Sequence, residues 1–347
     1  MAVWRRIAPA ALKTALKWAL VAVILYFLIR NIPIKPAELG SFLYHANARF
    51  YASLLIFSLF LMMQAGIWVL IVRATMARDE ASGQSAAPRL RMGTGLTIFI
   101  DSQFAKYIPG GIWNYAGRIV LAGREGISFE ALTASVIYET VLLVAAAFLY
   151  ALLLLAMLGS VPLIPLILGT AAVLGLAYAY YPRLASVVGK GFAFASRRGP
   201  AKKLIQRFNR PADGEGLGPA IAIMPRRRFF GCLLLFLFSH FIMGIAFWMM
   251  VGSFDRGQIG LFYAAGTFAA SWLIGLLSPL PGGLGVREGF LVYFLSLKID
   301  SNAALHISVI ARLWNVMAEV LFWVILHAVR FPFRKRNKPE RGQEPNA

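Results

Sequence analysis

Residues 278–290 read SPLPGGLGVREGF, and the twenty or so residues before them, from Ile259 to Leu280, are almost entirely apolar. A membrane-spanning helix needs about 20 apolar residues, so the chain here is long enough to enter a bilayer. Pro281-Gly282-Gly283 then stops the helix: proline lacks the N–H and clashes with the preceding turn, and glycine carries a large entropic penalty in a helix interior. Directly beyond stand Arg287 and Glu288, two ionised side chains at a place where hydrocarbon surrounds the chain. The stretch predicts a helix broken within the membrane. A second stretch of the same design, KYIPGGIWNYAGR at 106–118, carries Pro109-Gly110-Gly111 and Arg118.

Composition agrees with a lipid solvent. Of 347 residues 59% are hydrophobic and 14% charged, and several apolar runs exceed the ~18 residues that mark a spanning helix. The fold class is an all-α polytopic membrane protein. Six runs are expected to cross: 14–32, 50–72, 131–158, 161–181, 229–252 and 303–329. Two further regions, 93–122 and 259–297, are expected to be broken hairpins that re-enter the face they left. For 259–280 full crossing stays open, because at ~1.5 Å per residue it is long enough. The single cysteine, Cys232, lies inside an apolar run and reads as a small buried side chain. The basic N-terminus before Trp18 resembles a signal peptide, but RNIPIK after it lacks a small-x-small cleavage site, so an uncleaved first helix is expected.

Lys and Arg number 35 against 15 Asp and Glu, giving a formal charge of +20. In a membrane protein such an excess orients the chain and touches anionic lipid, so no nucleic-acid partner is inferred. The N-terminal segment, the loop 73–91 with four Arg, the linker 183–228 with eleven Lys or Arg, and the tail from Arg330 are basic and are expected in the cytoplasm, with both termini. Within the linker, PAKKLIQRFNR at 200–210 separates Ala201, Leu204, Ile205 and Phe208 from Lys202, Lys203 and Arg207 on a helix. This segment reads either as a surface helix on anionic lipid or as a solvated loop. The membrane domain is expected over 1–332 and a disordered tail over 333–347.

The two Pro-Gly-Gly triplets lie 172 residues apart, and Ser135-Val136-Ile137 and Ser308-Val309-Ile310 lie 173 apart. These offsets divide the chain into units of about 50–158 and 229–329, each a long helix, a broken hairpin and a long helix. With six crossings the units have opposite orientation, an inverted repeat of the kind transporters use to alternate a central site between two sides.

Charge inside hydrocarbon costs several kcal/mol unless paired or hydrated. Glu139 and Arg312 occupy equivalent positions in the units, and pairing across the pseudo-two-fold axis is expected, as a structural ion pair or on a substrate or proton pathway. Arg312, Asn315 and Glu319 share one helical face. Where a helix restarts after Pro-Gly-Gly, its free N–H groups and dipole favour an anion. Gly110, Gly111, Gly282, Gly283 and Gly285 allow close backbone approach there, with Arg118, Arg287 and Arg312 adding charge. These residues are the candidate phosphate or lipid-headgroup ligands; Glu139, Glu288, Asn315 and Glu319 are candidates for charge pairing or proton coupling. Glu288, adjacent to Arg287 but directed elsewhere on a helix, is expected to partner another helix or accept a proton. His240, Gln64 and Ser239 read as interhelical packing contacts. No catalytic motif, metal ligand set or cofactor-binding loop is found.

On LPGGLGVREG followed by SVIARL, and KYIPGGIWNYAGR followed by SVIYE, the chain resembles the transmembrane region of the lysylphosphatidylglycerol synthases, flippase-like integral membrane proteins. The resemblance spans roughly 10–330. It implies a bacterial cytoplasmic (inner) membrane location and movement of an anionic or modified phospholipid, or a lipid-linked intermediate, between leaflets. Lysine transfer is not implied, because no aminoacyl-transferase domain is expected after residue 330. The alternative is a membrane-embedded enzyme, or an accessory subunit recruiting a lipid-modifying enzyme or glycosyltransferase.

Overall fold

The computed structural model describes residues 36–81, 90–107, 112–187, 223–254, 259–278, 283 and 285–336. The expected span 14–32, the segment 200–210 and the residues Pro109, Gly110, Gly111, Pro281 and Gly282 lie outside that set. Every element described is helical: α1 Pro36–His45, α2 Ala48–Ala81, α3 Met92–Gln103, a 3-10 turn Phe104–Tyr107, α4 Trp113–Gly123, α5 Phe129–Met157, α6 Leu163–Ala179, α7 Arg226–Val251, α8 Leu261–Leu277, α9 Val286–Ser296 and α10 Ser301–Arg336. The last of these continues past residue 332, where the polar tail was expected to begin.

Four stretches are long and apolar enough to cross a bilayer: Ala48–Met76, Phe129–Met157, Arg226–Val251 and Ser301–Val329, of 26 to 29 residues. At ~1.5 Å per residue each exceeds the ~30 Å hydrocarbon core. A fifth candidate joins α6 to the short helix Tyr181–Val187 through a 73° bend. The helices stop and restart where proline and glycine predict. In the first unit α3 and the 3-10 turn end at Tyr107 and α4 begins at Trp113; in the second, α8 ends at Leu277 and α9 begins at Val286. Element order is thus long, short, short, long in α2–α5 and again in α7–α10. α5 begins at a serine cap, Ser128, whose Oγ accepts from the Ala131 N–H at 3.3 Å, with Glu130 in the positive first turn.

The core forms where the two units meet. α2 packs along α7 and α10, α5 along α8 and α7, and α9 lies against α8 and α10. Trp314 of α10 stacks on Phe57 of α2 at 4.1 Å between centroids and donates its indole N–H to Ser53 Oγ at 3.1 Å. Gln64 of α2 donates to Ser239 of α7 at 3.2 Å, and His240 shares a hydrogen bond with the Phe236 carbonyl at 2.8 Å while its ring stacks on Tyr150. All three side chains therefore sit in contacts within the bundle.

α8 is the most enclosed element: every residue from Tyr263 to Ser271 is buried. Buried on all sides, it is apolar all round and rich in Ala and Gly. Small residues allow the close approach, as is usual when helices pack inside lipid. A Cβ on Gly266 would lie 2.8 Å from the Tyr150 carbonyl of α5, and one on Gly244 of α7 would overlap Ala265 of α8. Gly231, earlier on α7, faces open space. Gly244→Leu is therefore expected to cost at least ~1–3 kcal/mol through overpacking and to lower the thermal unfolding midpoint in detergent. Gly231→Leu should leave that midpoint unchanged.

Candidate functional site

Arg312, Asn315 and Glu319 occupy the middle of the apolar stretch Ser301–Val329, with Asn315 at its centre. At ~1.5 Å per residue Asn315 is ~21 Å from either end, the depth at which unpaired charge is least tolerated. All three are met by side chains from the two broken units.

The second unit meets α10 first. Arg312 Nη1 lies 3.1 Å from Glu288 Oε1, and Ser308 Oγ donates to the Glu288 carbonyl at 3.1 Å. The other oxygen of Glu288 accepts the Gly285 N–H at 2.7 Å, the glutamate half of a capping box at the start of α9. The helix start expected to be open to an anion is thus partly filled by the protein's own carboxylate. Consecutive helix residues point about 100° apart, so Arg287 takes a different direction from Glu288. With the Asn315 amide turned so that its oxygen faces the guanidinium, that oxygen accepts from Arg287 at 2.8 and 3.1 Å. The guanidinium carbon lies 4.8 Å above the centre of the Phe268 ring.

Glycines make this approach possible. Gly283 and Gly285 have φ of +69° and +80°. A Cβ on Gly283 would lie 2.7 Å from the Gly275 carbonyl of α8, and one on Gly275 would lie 2.8 Å from Arg287 Cβ. The chain after the break is pressed onto α8, which sets where Arg287 emerges.

The first unit reaches the same face of α10. Glu319, fully buried, accepts from Lys106 Nζ and, at 2.9 Å, from the Tyr107 hydroxyl. Tyr107 lies within electrostatic range of Arg312 and Arg287 as well as Glu319. Neither Lys106 nor Tyr107 was singled out as a site residue in the sequence; their position immediately before Pro109 was the available signal.

Arg118 and Glu139 form a separate centre. Arg118 Nη1 is 2.5 Å from Glu139 Oε2, its Nε donates to Ser102 Oγ at 3.4 Å, and its guanidinium carbon lies 4.0 Å from the centre of the Phe99 ring and 5.2 Å from that of Trp68. This corrects the expected pairing of Glu139 with Arg312. Each finds its partner within its own unit, at a sequence separation of 21 or 24 residues, because α4 and α9 pack beside the long helices that follow them. Arg118 is 1% exposed and already neutralised, so it does not face a cavity beside Arg287. Among the described residues no three of His, Cys, Asp and Glu converge to hold a metal ion.

A bundle of spanning helices with charged side chains buried at mid-depth defines an integral membrane protein. Residues 14–322 match the family model described as the lysylphosphatidylglycerol synthase TM region, and the chain belongs to that family. No curated protein matches it significantly.

Two outcomes are expected from these contacts. Glu139→Leu strands Arg118 in the bundle and should cost ~3–5 kcal/mol, whereas the double variant Arg118→Met/Glu139→Leu should recover most of that stability in detergent unfolding. Gly283→Ala meets both a positive φ and the Gly275 carbonyl, and should lower the unfolding midpoint; Gly289→Ala, with open space around it, should not.

Proposed function

We propose that the protein moves an anionic or modified phospholipid, or a lipid-linked intermediate, between leaflets. The observation that carries this reading is Arg287. It approaches the centre of a spanning helix, yet its polar partner is a neutral amide, and no carboxylate of the described residues lies within 4.0 Å of it. Glu288 and Glu319 act on Arg287 only from beyond ion-pair contact, and a phospholipid brings an anion to that depth with its acyl chains still in lipid. The side chains of Lys106, Arg312 and Glu288 are 31%, 22% and 24% exposed, while Glu319 is buried.

In this reading both breaks are re-entrant, α2–α5 and α7–α10 form an inverted repeat, and α10 lines the path between them. The basic segments and both termini face the cytoplasm of a bacterial inner membrane. The protein carries lipid without chemically altering it, and anionic lipid contacts its cytoplasmic surface.

The test is leaflet exchange of a fluorescent phosphatidylglycerol in vesicles containing the purified full chain. Arg287→Ala and Arg312→Ala are each expected to slow exchange by about tenfold or more while the protein still elutes as a folded species. Wild-type exchange no faster than in protein-free vesicles overturns the reading. Chemical conversion of the labelled lipid would instead identify an enzyme.

A further inference from the structure

The 3-10 turn Phe104–Tyr107 extends from an anchored helix and is latched to α10. In α3, Ile98, Phe99 and Ile100 are buried, and Gly95 lies so close to α2 that a Cβ there would overlap Val69. No residue of the turn itself is buried. It is held against α10 by the Tyr107 ring on Leu313 and by two ties to Glu319, from Lys106 Nζ and the Tyr107 hydroxyl.

The two ends of this latch differ in what they can return to. The Lys106 side chain is 31% exposed and that of Glu319 0%. Both oxygens of Glu319 are held by the turn, one by Lys106 and one by Tyr107. If the turn leaves α10, Lys106 keeps its charge on a side chain already partly exposed, while Glu319 stays at mid-depth without either donor. A buried carboxylate stripped of its partners is strongly unfavourable, and taking up a proton removes the charge. The other elements packed on α10 supply no ready replacement. α2 has no ionisable side chain between Tyr51 and Arg73. From α9, Arg287 is held by Asn315, one turn before Glu319, and Glu288 by Arg312, two turns before it. From α3, Asp101 meets Trp323 and His327, one and two turns beyond.

We infer that Glu319 is a proton site coupled to the position of the turn. Closed, Glu319 is ionised and holds Lys106 and Tyr107; open, it carries one proton taken from water and the turn is released. Glu319 gains one proton on each opening and returns it on closing, while Lys106 remains an ammonium throughout. The open form binds the extra proton, so falling pH favours opening and rising pH favours closure. His327 acts in the opposite sense, because its imidazolium gains an attraction to Asp101. Only the consequence for transport rests on the lipid-transfer reading: there, the proton sets when the central face of α10 is open to a lipid.

The test uses the full chain with Cys232→Ala and spin labels at Ala105→Cys, on the turn, and Leu234→Cys, exposed on α7. Distances between the labels are measured by double electron–electron resonance from about pH 5 to about pH 9. A second distance population is expected to grow as pH falls, its ratio to the first rising by up to about tenfold per pH unit, the limit for one proton. Glu319→Gln, neutral throughout, should show the open population at every pH. Lys106→Gln should move the transition to higher pH, and His327→Gln should leave its direction unchanged. A wild-type distance that ignores pH, or a pH dependence that survives in Glu319→Gln, overturns the inference. So does opening that is independent of pH and lost in Arg287→Gln, which would show Glu319 passing to Arg287 instead of to a proton. Leaflet exchange of fluorescent phosphatidylglycerol is followed in parallel. A pH-driven distance change without exchange at any pH keeps the proton site and removes the transfer reading; exchange without the distance change does the reverse.

Discussion

Hydrocarbon offers an ionised side chain neither water nor counter-ion, and that constraint organises this protein around α10. Three polar residues stand at the centre of its apolar stretch, and each is met by a group from a helix break. The breaks are what make this possible. An unbroken helix presents side chains at fixed 100° steps along its length, whereas a helix that ends and restarts can bring its terminal residues end-on to a neighbour. Such irregular backbone is tolerated at depth only where protein or a hydrated cavity covers it. Gly283 against Gly275, and Glu288 returning to the Gly285 N–H, are the coverings visible in the second unit.

The units solve the same problem with reversed signs. In the first, an arginine on the short helix after the break pairs with a glutamate on the long helix; in the second, a glutamate on the short helix pairs with an arginine on the long one. Each unit balances these charges internally, so their relative position is not fixed by an ion pair between Glu139 and Arg312. The described polar ties from the first unit to the charged face of α10 are instead Lys106 and Tyr107 on Glu319. These sit at the end of a 3-10 turn, whose hydrogen-bond geometry is poorer than that of an α-helix.

Much of this was legible in the sequence. Apolar length gave four of the long helices, Pro-Gly-Gly gave both breaks, and three-and-seven spacing put Arg312, Asn315 and Glu319 on one face, where the structure finds them. The partners were not legible. Similar spacing of two residues in two stretches of sequence does not place them in contact; Glu139 and Arg312 lie in separate ion pairs. Side-chain partners depend on helix rotation and on a few ångströms of approach, and these are set by Gly275, Gly266 and Gly244 in tertiary contacts that no local pattern encodes. Lys106 was overlooked because a lysine beside a break reads equally well as a solvated end.

The two arginines that follow the breaks show how the same side chain acquires different roles. Both lie against aromatic rings, Arg118 on Phe99 and Trp68 and Arg287 on Phe268, and such faces supply part of the attraction that water would give. Arg118 adds a carboxylate and a serine hydroxyl and is 1% exposed, so its charge is compensated in place and removing a partner leaves it stranded. Arg287 adds only the Asn315 amide oxygen, whose partial charge cannot neutralise a guanidinium. Arg118 is compensated by direct contact, whereas Glu288 and Glu319 act on Arg287 only from beyond ion-pair contact. The difference between them in direct contacts is one carboxylate.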